Sequence, residues 1–278
     1  MKEKTIILLA PKRCGTTALF NVFKNHTQVK ISHHDQEIEN WEPQFWNLAM
    51  LAINGKPNQF ILRMKNTFPK IVYKKPFNKK KIFSLWSKIL KVYGPCIFDK
   101  SPQYLNDYKV LQLIYEYKQK GNDVRFISMI RNPRDAITSQ YELWKEHTGE
   151  ISLKKREKKW LSHIINIEKF NEKVSFPIYR YEDIANNKKI YFKKIFEECD
   201  LRFEKKSFKL FKPVSINRFH KIFNKKIKQW SPGKKFKLHM IKYGYNTDKI
   251  NFSYFQKIKF FLQNIKRLIP NRYKSIIK

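Results

Sequence analysis

Near its start the chain runs apolar through Thr5-Ile6-Ile7-Leu8-Leu9-Ala10 and stops at Pro11-Lys12-Arg13-Cys14-Gly15-Thr16-Thr17, after which apolar residues resume at helical spacing from Ala18-Leu19. This order predicts a buried strand, a tight basic turn and a helix. Backbone N–H groups at the helix start face outward, the macrodipole favours negative charge there, and cations and hydroxyls add charge-assisted hydrogen bonds. Such a corner is an anion cradle, suited to a phosphate or sulfate ester.

A second corner of the same kind follows. Val124-Arg125-Phe126-Ile127-Ser128-Met129-Ile130 reads as a buried parallel strand and leads into Arg131-Asn132-Pro133-Arg134-Asp135-Ala136-Ile137-Thr138-Ser139. Asn132 is placed to cap a helix, Pro133 suits its first turn and Asp135 complements its dipole. Arg131 then stands at the strand's carboxyl edge, with Ser139 about two helical turns further on. Other short apolar runs alternate with helical stretches: strands over 4–10, 28–32, 95–98, 124–130 and 175–179, helices over 16–25, 103–120, 133–146, 151–172 and 182–199, and helical or irregular structure through 41–92. That order predicts βαβ units, hence a three-layer α/β/α fold around a central parallel sheet of the P-loop NTPase-like kind. Both corners fall at carboxyl ends of strands, where open α/β sheets bind ligands.

A magnesium-nucleotide P-loop needs G-x-x-x-x-G-K-[ST]. Here Ala10 stands for the first glycine and Thr16 for the lysine, and the cations precede the glycine, at Lys12 and Arg13. The loop instead resembles that of sulfotransferases using 3′-phosphoadenosine 5′-phosphosulfate (PAPS), whose Pro-[Lys/Arg]-x-Gly-Thr-Thr segment holds the 5′-phosphosulfate. The resemblance implies that Lys12, Arg13, Cys14, Gly15, Thr16, Thr17 and Ala18 form the donor loop, with one residue more than the family pattern. Arg131 and Ser139 resemble the family's Arg-x-Pro-x-x-x-x-x-Ser clasp on the 3′-phosphate. Between them, Asp99-Lys100-Ser101-Pro102-Gln103-Tyr104 is similar to the Glu-Lys-[Ser/Thr]-Pro-x-Tyr segment of the carbohydrate, heparan-type branch, in which the lysine approaches the transferring group. Charge builds on the leaving oxygen as the S–O bond breaks, so Lys100, with Arg13, is the expected stabiliser. Arg180-Tyr181-Glu182-Asp183-Ile184 resembles a late Arg-Tyr-Glu-Asp-Leu segment and reads as structural.

The acceptor hydroxyl needs a proton acceptor. In that branch a glutamate lies past the donor loop and before an aromatic pair, and counting on from Gly15 reaches Ser32-His33-His34-Asp35-Gln36-Glu37. Glu37 is ranked first, ahead of Asp35, His34 and His33, although the family's Glu-x-His-Phe-Phe pattern is not met there. His33-His34-Asp35 has no second ligand cluster at zinc spacing, and no metal is expected.

At 278 residues the chain reads as one sulfotransferase-like domain, with a core over about 1–205 and a basic extension over 206–278. The extension offers Asn217 through Lys235, with Arg218, Trp230, Gly233 and Lys234, as a late cofactor-covering loop. It ends in an amphipathic run from Phe252 that suits peripheral contact with an anionic membrane. The formal charge of +36 draws polyanions, but no nucleic-acid motif accompanies it, and compositional drift explains much of it equally well. Cys14, Cys96 and Cys199 are too few and scattered for a disulfide framework, so a reducing cytoplasm fits. Cys14 is either a small loop filler or a thiol activated by the surrounding cations. The apolar start is too short for a signal peptide or a membrane span. Expected together are a bacterial-type soluble enzyme and sulfuryl transfer from PAPS to a hydroxyl of a carbohydrate, glycolipid or small molecule. The rival readings are a P-loop kinase-like phosphotransferase and a non-catalytic polyanion-binding protein. Basic, aromatic-bearing residues 56–91 read either as an insertion touching the acceptor or as a surface excursion.

Overall fold

The structure, a computed structural model, describes residues 3–30, 42–148, 152–212, 227 and 229–245. It divides into two compact units, Met1–Ile216 and Asn217–Lys278.

The first unit is built on four parallel strands, β1 (Lys4–Leu9), β2 (Cys96–Lys100), β3 (Asp123–Ile130) and β4 (Ile178–Arg180), in the order β2-β1-β3-β4. The chain steps to one side of β1 for β2 and to the other for β3, so the topological switch falls at β1. Its carboxyl end is where an open α/β sheet offers a ligand crevice. Every residue of β1 and of β2 is buried, as strands covered on both faces must be. The strand expected near 28–32 is, at its described end, a single parallel bridge from Lys30 to Ile97.

Register assigns the two faces. Ile6 pairs with Phe98, and on that face Phe98 stacks on Phe23 of α1 (Thr16–Lys24) with ring centroids 4.1 Å apart. Phe23 in turn meets Phe196 of α9 (Lys188–Glu198) edge-on at 6.0 Å. On the opposite face Thr5 Oγ1 accepts from Trp86 Nε1 of α4 (Lys79–Tyr93) at 2.8 Å. Phe126, paired with Ile7, meets Phe170 of α7 (Leu153–Val174) on that same side. Helices thus cover both faces of the sheet.

Residues 42–93 form α2 (Phe45–Ile53), α3 (Pro57–Thr67) and α4. Phe60, Phe68, Tyr73 and Phe77 from this segment are buried against Phe45 and Trp86, so its aromatics build a second core while its lysines stay outside. The helix expected over 103–120 begins as a 3₁₀ turn (Pro102–Asn106) and becomes α5 (Tyr108–Gln119) after Asp107, whose side chain accepts from the Lys109 amide. The helix expected over 182–199 is two, α8 (Tyr181–Asn186) and α9, parted at Asn187. α6 spans Pro133–Thr148, and α10 is Lys205–Phe208.

In the second unit Gly233 precedes a helix over Lys234–Lys242, and Trp230 packs on Phe236 at 5.7 Å. Arg218 and the amphipathic run from Phe252 lie outside the described residues. Among those described, no helix is long and apolar enough to cross a membrane.

Candidate active site

The loop between β1 and α1 is shaped by two left-handed residues, Arg13 at φ 67° and Gly15 at φ 88°. A Cβ at Gly15 would sit 2.3 Å from Cδ2 of Tyr181, so both the backbone angle and the ring beneath it demand glycine. α1 begins after Gly15, which has no side chain to cap it, and carries no acid in its first turn. The dipole at its positive end is therefore not offset by an acid of its own first turn and favours an anion.

The two corners expected from sequence meet directly. Arg13 Nε donates to Ser139 Oγ at 2.9 Å, Arg131 Nη1 donates to the Arg13 carbonyl at 3.2 Å, and Gln140 Nε2 donates to the Lys12 carbonyl at 3.2 Å. Asn132 Oδ1 accepts from the Arg134 amide at 3.0 Å, and Pro133 and Asp135 occupy the first turn of α6. Buried Arg131 lies 3.6 Å from Asp135 and 5.1 Å from the centroid of Tyr181. Glu182 accepts from the Asn132 amide at 2.9 Å. Tyr181 and Glu182, which read from sequence as structural, thus brace the two strand-to-helix corners. Thr138 is fully buried beside Ser139, and its Oγ1 has no hydrogen-bond partner.

Cys14 is fully buried. Burial pushes its thiol up to about 12, against a smaller opposing pull from Arg131, which makes it the filler rather than the activated thiol of the two readings.

Alternation along β2 separates the chemistry of Asp99 and Lys100. Lys100 pairs with Leu8 on the α1 face, and its fully buried Nζ lies 5.6 Å from the Phe20 ring centroid. Burial holds its ammonium below the ordinary value, opposed by Glu42, whose Oε1 is 3.5 Å from Nζ. Gln103 Nε2 donates to the other Glu42 oxygen at 3.1 Å, and Arg63 Nη2 of α3 holds the Glu42 carbonyl at 2.8 Å. Lys100, Gln103 and Glu42 therefore form one polar cluster beside the carboxyl end of β1.

Glu42 was not among the sequence candidates, and Glu37, Asp35, His34 and His33 lie outside the described residues. The signal for it was present: Glu42-Pro43-Gln44-Phe45-Trp46 is a glutamate three positions before an aromatic pair, with glutamine and tryptophan replacing the histidine and second phenylalanine of the family pattern.

Asp99 faces the other layer, where Tyr104 Oη donates to it at 2.7 Å and Ser101 Oγ at 3.3 Å. Burial pushes its carboxyl from 3.8 up to about 7 despite those two bonds. The folded chain keeps this proton over a range where the unfolded chain has released it, so stability falls as pH rises between about 4 and 7. Thermal melts across that range are expected to show the fall in the native protein and a flatter profile in Asp99→Asn. Equal slopes in the two would remove Asp99 as the cause.

A family model described as the Sulfotransferase family matches residues 5–205. The sulfotransferase domain from the curacin biosynthetic pathway superposes with a TM-score of 0.55 at 14% identity, covering 89% of this chain and 99% of the other. The sulfotransferase domain of the Synechococcus PCC 7002 olefin synthase gives 0.57 at 13% identity, over 89% and 98%. A sulfotransferase from Alicyclobacillus acidocaldarius gives 0.51 at 12%, over 82% and 90%. These identities speak to fold. No curated protein matches in sequence.

Proposed function

The chain belongs to the sulfotransferase family, and from that premise we propose that it transfers a sulfuryl group from PAPS to a hydroxyl of a carbohydrate, glycolipid or small-molecule acceptor. The observation that carries this reading is the Glu42–Lys100 pair at 3.5 Å, standing at the same sheet edge as the basic loop whose Arg13 reaches Ser139.

The residues fit the donor. A helix start with no acid in its first turn, a glycine that admits no Cβ, Arg13, Thr16 and Thr17 suit a phosphosulfate, while Arg131, Ser139 and the orphaned Thr138 hydroxyl suit a second phosphate. PAPS supplies an activated sulfuryl group on a phosphate leaving group. Glu42 takes the proton of the acceptor hydroxyl, whose oxygen bonds to sulfur as the S–O bond to phosphate breaks. Lys100 and Arg13 steady the charge that gathers on the departing phosphate oxygen. The products are a sulfate ester and adenosine 3′,5′-bisphosphate.

The test is calorimetric titration with adenosine 3′,5′-bisphosphate, and separately with ATP and magnesium. Micromolar affinity for the bisphosphate, weakened at least about tenfold in Arg131→Ala and in the milder Ser139→Ala, with ATP markedly weaker, is the expected result. Binding of ATP alone would return the kinase reading. Salt-sensitive binding of any polyanion with none of the bisphosphate would favour the polyanion-binding reading.

A further inference from the structure

At the end of the sheet opposite the candidate active site, the amino ends of the strands line a second cavity, of about 500 Å³. Register builds its floor. Lys4 opens β1 and pairs with Cys96 of β2 on one side and Asp123 of β3 on the other, so these three side chains share a face of the sheet. Arg125 lies two positions after Asp123 and so on the same face. The facing wall is the turn that follows α9, where Asp200 takes a left-handed φ of 50° and leads into Arg202. That wall is pinned at both ends. Lys4 Nζ donates to the Asp200 carbonyl at 2.7 Å, the Arg202 amide donates to Gln28 Oε1 at 2.7 Å, and the His26 ring is hydrogen-bonded to the Arg202 carbonyl at 2.9 Å. The cavity is thus framed by fixed backbone, which lowers the ordering cost of seating a ligand.

Its cations and acids do not balance. Lys4 Nζ is paired with the Asp200 carboxylate at 2.5 Å, and Arg125 Nε with that of Asp123 at 2.7 Å. Burial pushes the Cys96 thiol up to about 11, so it adds no negative charge. Arg202 is a third cation in a lining that has no third acid, and among the described residues its exposed guanidinium makes no hydrogen bond or ion pair. Arg125 uses one nitrogen on Asp123, and among the described residues its two Nη groups bond nothing. Two guanidinium forks therefore line one cavity whose volume is in the range of small-molecule sites, roughly 300–1,000 Å³. A phosphate dianion presents enough oxygens and charge for both forks, whereas a carboxylate matches one.

We propose that this cavity is a binding site for a small phosphate monoester, its phosphate held between Arg125 and Arg202. The hydroxyl-bearing body of the ester lies along Asp123 and Asp200, whose carboxylates keep lone pairs to accept from it. The site shares no residue with the donor corners and does not depend on the sulfuryl-transfer reading.

The test is calorimetric titration of the full chain with glucose 6-phosphate, glucose and inorganic phosphate. Glucose 6-phosphate is expected to bind at least about tenfold more tightly than either of the others. Its affinity should be unchanged by saturating adenosine 3′,5′-bisphosphate and in Arg131→Ala, because both act at the other end of the sheet. Arg202→Gln should weaken it at least about tenfold with no change in melting temperature, since the exposed side chain holds nothing and the amide bond to Gln28 remains. Arg125→Lys, which keeps a charge for Asp123 without the fork, should weaken it too. Lys88→Ala removes a charge from an exposed position of α4 and should leave it intact. The proposal is overturned if glucose 6-phosphate does not bind, or if glucose or inorganic phosphate binds as well. It is also overturned if either arginine variant binds like the native protein, or if Lys88→Ala loses as much, which is general attraction to a basic protein. Loss of binding with the bisphosphate or in Arg131→Ala would assign the phosphate to the donor corners and overturn it as well. If the native protein binds no bisphosphate, the donor reading fails alone and the Arg131→Ala comparison still locates the ester.

Discussion

Glu42→Gln is expected to lower kcat by about 10²–10⁴-fold while leaving the affinity for adenosine 3′,5′-bisphosphate and the melting temperature close to those of the native protein. Glutamine keeps the shape of the side chain and can still accept from Gln103 Nε2, and the backbone carbonyl held by Arg63 is untouched. What it loses is the capacity to take a proton. The assay is transfer of radiolabelled sulfur from PAPS to an acceptor panel, with donor affinity measured in parallel. A loss of less than about tenfold would move the base to another group, and Glu37 would be the first to substitute. Loss of donor binding instead would make Glu42 a scaffold for Lys100.

Lys100→Met is expected to remove about 10²–10³-fold of kcat and to leave the melting temperature unchanged or higher. The two readouts move apart for a physical reason. Lys100 is fully buried, its ammonium is held down by desolvation, and its partner Glu42 keeps a side chain 18% exposed with Gln103 still bonded to it. Methionine fills the same space beside Phe20 without a charge to desolvate, and Glu42 retains its amide donor and some water. A fall in melting temperature of more than about 5 °C alongside the lost activity would show Lys100 to be structural.

The two strand-to-helix corners were legible because each is specified locally. A run of buried strand residues, a cap at Asn132, a proline at the first helical position and a glycine at Gly15 all act within a few residues of one another. Fold class followed from the same alternation. Glu42 was harder to see because its place depends on the length of the connection leaving α1, and a count from Gly15 has no way to register that length. The polar group at His33-His34-Asp35 also offers carboxylate and imidazole candidates ahead of the aromatic pair at Phe45-Trp46. The structural reading of Tyr181 holds, but only the folded chain shows that its ring lies under Gly15 and Arg131. The aromatics of residues 56–91 show the converse, since their burial against α2 and α4 was masked by the lysines interspersed among them. Asn187 parts α8 from α9, and a periodic pattern on both sides of it hid the break.

Under the proposed donor reading, the hydrogen bond from Arg13 to Ser139 also bears on how a nucleotide would be captured. It ties two segments 126 positions apart in sequence into one rigid rim, so little conformational entropy is left to lose when a nucleotide arrives. An arriving phosphate competes with an interaction already made, and the affinity measures an exchange rather than a simple gain. Ser139→Ala should therefore affect association and release unequally, because it loosens the rim for entry while removing one of the holds on the seated ligand.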